Sequence, residues 1–205
     1  MPTDYRVTIN GRYGTLEASA ARLQVSVGNP RYEGRKLEAL ADFCRRRYEN
    51  TTVVLSDTLQ RHNLPEPQRY WMACRREGQE WLERNRAALH GLTIRRWDDY
   101  LMDPRYASAR ALIDKLTASG PAHEAILALA ERQTSIPIER SLSFLREELA
   151  VFSFMMEDKA IDIYAGSWIT PAIRELKLPA FDCIRCLSVD LERKRTAKPD
   201  LALSA

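Results

Sequence analysis

Histidine is scarce in this sequence, with three in 205 residues, and cysteine is little commoner, with four. Metal centres draw on clustered His and Cys, so this scattered supply argues for no metal site. The four thiols, Cys44, Cys74, Cys183 and Cys186, suit a reducing compartment better than a disulfide framework. Cys183 and Cys186 have redox-motif spacing, but they fall in an apolar strand-like run where positions three apart point to opposite faces, and they read as structural thiols. No apolar run reaches the ~18 to 20 residues of a membrane span, and Met1 to Arg6 lacks the apolar core of a signal peptide. A cytoplasmic protein with no membrane contact is expected. Charge of one sign is missing too: 31 basic against 28 acidic side chains leaves +3. That balance does not by itself demand a nucleic-acid partner, although a local basic face fits within it.

The familiar nucleotide signatures are absent as well. There is no Gly-x-Gly-x-x-Gly after the first strand candidate and no Gly-x-x-x-x-Gly-Lys-Ser/Thr. Ser26 is not in a Gly-x-Ser-x-Gly elbow, and no His stands near it in sequence. A serine without such a base still accepts an acyl group when the substrate arrives activated, for example as an ester with a good leaving group.

What is present is an alternation of short apolar runs with longer amphipathic ones. Aliphatic and aromatic residues make up 45% and charged residues 29%, an ordinary soluble composition. The length fits one domain over 1–205. Arg6 to Ile9 reads as a short strand and Asn10-Gly11 as a turn, which predicts an edge hairpin or extension within 1–20. Residues 21–27 form a buried strand ended by Gly28, Asn29 and Pro30, then a helix over 32–48. Thr51 to Leu55 is a second buried strand ending at Ser56-Asp57, and the β-α-β arrangement makes the two parallel. A helix follows over about 66–89, with Tyr70, Cys74, Trp81, Ala88 and Leu89 on its apolar stripe. Leu92 to Trp97 is a third strand; helices fill 103–157 with breaks at Ser119-Gly120-Pro121 and Ile136-Pro137; Ile161 to Tyr164 is a fourth strand. A short helix near 170–176 and a fifth strand over 181–191 complete the pattern, and the polar tail 192–205 reads as disordered. The expected fold is α/β, a Rossmann-like parallel sheet with helices on both faces. Ser26 then lies at the carboxyl edge, where such sheets bind ligands, although the local pattern taken alone favours a serine that caps a turn or helix over a nucleophile.

Val25-Ser26-Val27-Gly28-Asn29, Val53-Val54-Leu55-Ser56-Asp57-Thr58, Arg96-Trp97-Asp98-Asp99, Phe144-Leu145-Arg146-Glu147-Glu148-Leu149 and Ile163-Tyr164 together resemble the tRNA-dependent cyclodipeptide synthases, in order and over about residues 20 to 190. The resemblance implies a fold like the catalytic domain of class I aminoacyl-tRNA synthetases without ATP chemistry, and neither a His-x-Gly-His nor a Lys-Met-Ser-Lys-Ser motif is present. It implies two aminoacyl-tRNAs per product, an aminoacyl-serine intermediate, a diketopiperazine product and no cofactor. Ser26 matches the nucleophile, Glu148 the glutamate that holds the aminoacyl ammonium, and Tyr164 the tyrosine that assists proton transfer. Asn29 matches one subfamily and, with Gln24, Phe144 and Val151, is an expected substrate-binding residue. Phe144 stands where the family usually has tyrosine, and Ala165 where it has His or Pro, so this is a divergent member.

Taking Leu145, Leu149 and Phe152 as core-facing puts Glu148 near the buried face and leaves Glu147 as the candidate for the exposed member of the pair. Gln24, two before Ser26 on the same strand face, and Val151, a turn after Glu148, are expected to line the first aminoacyl pocket with Phe144. Arg69, Arg75, Arg76, Arg84 and Arg86 are the candidate tRNA contacts, interleaved with Glu66, Glu77, Glu80 and Glu83. Two other readings stay open: a non-catalytic tRNA-binding protein, and an aminoacyl-tRNA-dependent transferase to a small acceptor.

Overall fold

The computed structural model describes residues 4–132, 136–166, 181 and 185–194. Strands β1 (Tyr5–Tyr13), β2 (Ala20–Val25), β3 (Asn50–Leu55), β4 (Thr93–Arg96), β5 (Ile161–Ala165) and β6 (Cys186–Arg193) form one sheet in the order β1-β6-β5-β2-β3-β4. The five neighbours from β6 to β4 run parallel, as the alternating pattern predicts. At the edge, β1 pairs antiparallel with β6.

That edge corrects one expectation. Asn10-Gly11 is not a hairpin turn. It is a register shift between Ile9 and Gly11 inside a continuous strand, a bulge of the kind that bends edge strands. The Asn10 amide is held across the pair by Asp190 at 2.7 Å, so β6, some 180 residues away in sequence, decides what a local turn signal could not.

Helices cover both faces. On one lie α1 (Gly34–Arg47), α2 (Trp71–Arg84) and α3 (Arg86–Leu89), packed through Leu37, Leu40 and Trp81 on Leu23, Val25, Val53, Leu55 and Ile163. On the other, α4 (Trp97–Leu101), α5 (Arg105–Leu116), α6 (Gly120–Glu131) and the 18-residue α7 (Ile138–Met155) enclose Trp97, Ile113, Ile126, Leu145, Leu149 and Phe152. Odd and even positions of β2 and β3 therefore feed different cores, as a pleated strand buried on both sides must.

The helix expected over 66–89 begins later and is broken. Pro65 and Pro67 hold the preceding residues in turns, α2 starts at Trp71, and Asn85 interrupts it. Asn85 is buried: its amide donates to Trp81 O at 3.0 Å and Glu33 Oε2 at 3.2 Å, while its oxygen accepts from Gly34 N at 3.4 Å. The break thus ties the end of α2 to the start of α1. Tyr70, placed on the apolar stripe by spacing, is 56% exposed because it precedes the helix. The last strand starts at Cys186 rather than 181 and continues through Arg193, so the polar tail is ordered for two residues beyond its expected start at 192. Cys183, the helix near 170–176 and the tail from 195 lie outside the described residues. Among the described residues no helix is long and apolar enough to cross a membrane.

The chain leaves β2 for β3 and β4 on one side and returns to β5 on the other. The carboxyl ends of β2 and β5 therefore flank the point where strand order reverses, the position at which open α/β sheets form a crevice.

Candidate active site

Ser26 is the first residue past β2. The ladder ends where Ser56 N–H donates to Val25 O at 2.8 Å, and the next bond, Asn29 N–H to Ser26 O at 3.2 Å, closes a turn. Gly28 sits at φ +84° in that turn, a conformation that an L side chain resists. Asn29 then caps the short 3-10 helix Pro30–Tyr32, its Oδ1 accepting from Arg31 N at 3.0 Å. Tyr32 is anchored from two sides: its hydroxyl accepts from Ala165 N at 3.1 Å, and its carbonyl accepts from Trp81 Nε1 at 3.1 Å. The segment after Ser26 is therefore fastened to the end of β5 and to α2. Ser26 is half-buried, and its hydroxyl makes no hydrogen bond among the described residues. Pleat alternation puts it on the α7 face with Arg22 and Gln24.

On that face, α7 presents two consecutive glutamates, and both are buried. Glu147, the candidate for the exposed member of the pair, is in fact 2% exposed, and Glu148 is 8% exposed. Their surroundings are opposite. Glu147 receives Arg61 through both carboxylate oxygens, Trp97 Nε1 at 2.9 Å and His62 Nε2 at 3.2 Å. Burial pushes its pKa up, but the hydrogen bonds from His62 and Arg61 and the guanidinium charge outweigh burial and hold it below the ordinary carboxyl value. Glu148 has one partner, the phenol of Tyr164, and its Oε2 is buried with none among the described residues. Burial pushes the Glu148 carboxyl up to about 8, against the opposing pull of the Tyr164 hydrogen bond. The Tyr164 hydroxyl, buried and beside that carboxylate, is raised well above its usual value. Two neighbouring carboxyls are thus driven apart in pKa by opposite surroundings, one by an ion-pair network and the other by burial.

The remaining expected residues divide. Gln24 is buried, its amide donating to Asp162 Oδ1 at 2.7 Å, with Oε1 unpartnered among the described residues. Asp162 also receives Arg22 Nε at 2.8 Å and Nη2 at 2.9 Å. Phe144 is half-buried against the α7 core, one turn before Glu148. Val151 is fully buried in that core.

Four of the five arginines singled out in and around α2 are paired with acids: Arg69 with Glu66 at 3.4 Å, Arg75 with the buried Asp98 at 3.1 Å, Arg76 with Glu80 at 3.9 Å and Arg84 with Glu33 at 3.6 Å. Arg86 forms no ion pair among the described residues. Beside α2 lies a groove of about 780 Å³ lined by Pro67, Tyr70, Arg76, Glu77, Glu80 and Arg84, of mixed charge rather than a basic track.

Sequence reasoning missed Arg61, His62 and Trp97 around Glu147. A signal existed: Arg61 and His62 follow a strand at the carboxyl edge, and a buried Trp needs an acceptor for its N–H. Among the described residues no group of three or more His, Cys, Asp or Glu is placed to hold a metal ion.

No protein-family model matches the sequence, and no curated protein matches it either. Solved structures do match. The chain is similar to a CDPS from Fluoribacter dumoffii, with a TM-score of 0.77 over 93% of this chain and 99% of that one, at 19% identity. A cyclodipeptide synthase from Bacillus thermoamylovorans aligns with a TM-score of 0.67 over 84% and 88%, at 15% identity. A Mycobacterium tuberculosis protein, whose structure is described as demonstrating that cyclodipeptide synthetases are related to type I tRNA-synthetases, gives 0.68 over 92% and 94%, at 13% identity. At these identities the shared property is the fold, and it spans nearly the whole chain, as the ordered motifs do.

Proposed function

We propose that the chain is a cyclodipeptide synthase that takes two aminoacyl-tRNAs and joins their aminoacyl groups into a diketopiperazine through an aminoacyl ester on Ser26. The observation that carries this reading is the pair of buried Glu148 and half-buried Tyr164 on the same sheet face as the half-buried Ser26, at the reversal of strand order between β2 and β5. An aminoacyl ester brings its own activation, so the serine needs positioning more than it needs a strong base. Its α-ammonium is the group that the unpartnered Oε2 of Glu148 is suited to receive. A cation there lowers the carboxyl pKa by direct pairing, so binding and ionisation of Glu148 favour each other.

When that amine becomes the nucleophile, the same carboxylate accepts one of its protons. Tyr164 holds Glu148 in place and offers a hydroxyl to the reacting oxygens. Asn29 fixes the turn that carries Ser26, and Phe144 and Gln24 bound the aminoacyl group. Arg69, Arg75, Arg76, Arg84 and Arg86 contact the tRNA backbone through whichever guanidinium groups exchange their carboxylate partners for phosphate. Such contacts weaken as salt rises.

The test is expression in a bacterial host, with the medium searched by mass spectrometry for diketopiperazines. The reading expects at least one such product, lost in Ser26→Ala. An unchanged product set in that variant contradicts the role of Ser26. Release of linear aminoacyl conjugates in place of rings identifies a transferase to a small acceptor.

A further inference from the structure

Three guanidinium groups near the carboxyl edge of the sheet are committed to buried carboxylates. Arg61 is held by Glu147, Arg96 Nε donates to Asp57 at 2.9 Å, and Arg75 reaches Asp98 at 3.1 Å. Arg31 is not so committed. It is exposed, five residues after Ser26, in the short 3-10 helix Pro30–Tyr32. Its backbone N–H donates to Asn29 Oδ1, but among the described residues its guanidinium makes no hydrogen bond and no ion pair. Glu33, the nearest acid in sequence, is engaged by Arg84 at 3.6 Å and by Asn85 Nδ2 at 3.2 Å.

The fold nevertheless places that charge. Asn29 N–H closes a turn on Ser26 O at 3.2 Å, and Tyr32 N–H donates to Asn29 O at 2.9 Å, so the path from the serine to Arg31 is compact. Tyr32 docks on the end of β5 through its hydroxyl, which accepts from Ala165 N at 3.1 Å. Arg31, beside it, reaches over the next residue of that strand end: a Cβ added to Gly166 would lie 3.1 Å from Arg31 Nη1 and 3.4 Å from its Cζ. Gly166 is also the residue that lines up with Ser26. The parallel register pairs Leu23 with Ile163, and three positions on from each come Ser26 and Gly166. Neighbouring strands run about 5 Å apart, which sets the guanidinium over the strand end next to the one that carries the serine. The arginines of α2 lie on the flank of the sheet instead.

We propose that Arg31 binds the phosphodiester that joins the last two nucleotides of the aminoacyl-tRNA, and so holds the ester in front of Ser26. This rests on the function proposed above. An aminoacyl-tRNA carries its ester on the terminal ribose, and only that ribose separates the ester oxygen from the nearest phosphate. A ligand with an ammonium at one end and a phosphate at the other then finds a carboxylate at Glu148 and a cation at Arg31. The planar guanidinium suits a phosphate because it presents parallel N–H donors. It gives up no carboxylate partner to do so, unlike Arg69, Arg75, Arg76 and Arg84. Arg31 binds and transfers no proton.

The test is a double-mutant cycle between Arg31→Gln and a tRNA whose last internucleotide linkage is an uncharged methylphosphonate. With the full chain and subsaturating aminoacyl-tRNA, intact mass follows the Ser26 ester and reads kcat/KM for its formation. Each change alone should lower that value by about tenfold, and the two together should lower it no further than either alone. Arg31→Lys should recover part of the loss, because it keeps the charge without the fork. The salt dependence of the glutamine variant should flatten by about one phosphate contact. Losses that multiply would show that Arg31 and that phosphate act independently, and an unchanged rate in Arg31→Gln would remove Arg31 from the site. Either result overturns the assignment while the Ser26 ester still forms. Wild-type protein that forms no ester with the natural aminoacyl-tRNA overturns the function beneath it, and this assignment falls with it.

Discussion

At the scale of single residues the site is a contrast between two neighbours. Glu147 is ionised because four donor contacts outweigh its burial, and Glu148 is raised because one phenol does not. The consequence for stability has a definite sign. Between the ordinary 4.5 and about 8, the folded chain holds a proton at Glu148 that the unfolded chain has released. Raising pH across that window therefore costs stability, on the order of 1 kcal/mol per pH unit, and the loss stops once the pH passes the folded value. Glu148→Gln removes this slope. Thermal denaturation from pH 5 to pH 8.5 should show the variant gaining on the wild type as pH rises; parallel curves would mean that the carboxyl ionises freely in the fold. The stripe Leu145, Leu149 and Phe152 made the burial of Glu148 legible in sequence. It could not place Glu147, because the residues that receive it, Arg61, His62 and Trp97, come from segments some 50 to 86 positions away. A helical pattern describes a helix's own faces and is blind to donors brought by other elements.

At the scale of elements, what was legible depended on whether the deciding contacts were local. The parallel strands β2, β3 and β5 and the helix α7 follow from apolar periodicity and turn residues, and they stand where expected. The edge bulge in β1 and the break at Asn85 do not, since each is set by a partner far along the chain. α2 offers a sharper test of packing. Gly78 lies on its buried side, and a Cβ there would come within 2.7 Å of the Asp57 Cβ and would also run into Asp57 Oδ2 and Arg96. Asp57 cannot retreat easily, because it is buried and takes Arg96 Nε at 2.9 Å. Gly78→Ala should therefore destabilise the fold by about 1–3 kcal/mol despite alanine's better helix propensity, measured by urea unfolding. A neutral or stabilising result would show that α2 can slide on β3. Because Asp57 follows β3 at the carboxyl edge, the same substitution should also reduce activity.

At the scale of the whole molecule the account rests on topology more than on motif. The strand order reverses beside β2, helices cover both faces, and the proposed function draws its groups from the ends of β2 and β5 and from α7 at the carboxyl edge, where open α/β sheets bind ligands. The proposed function asks for no nucleotide-activating chemistry, since its substrate is an ester that arrives activated. The basic residues in and around α2 were legible as types, but the pairing of Arg75 with Asp98 and of Arg84 with Glu33 was not, because side-chain partners across elements leave no trace in spacing. The central claim is that Ser26 captures an aminoacyl group. Intact-protein mass spectrometry after mixing with aminoacyl-tRNA tests it most directly: wild-type protein should gain the mass of one aminoacyl group and Ser26→Ala should gain nothing, whereas an adduct that persists in Ser26→Ala, or no adduct on the wild type, contradicts it.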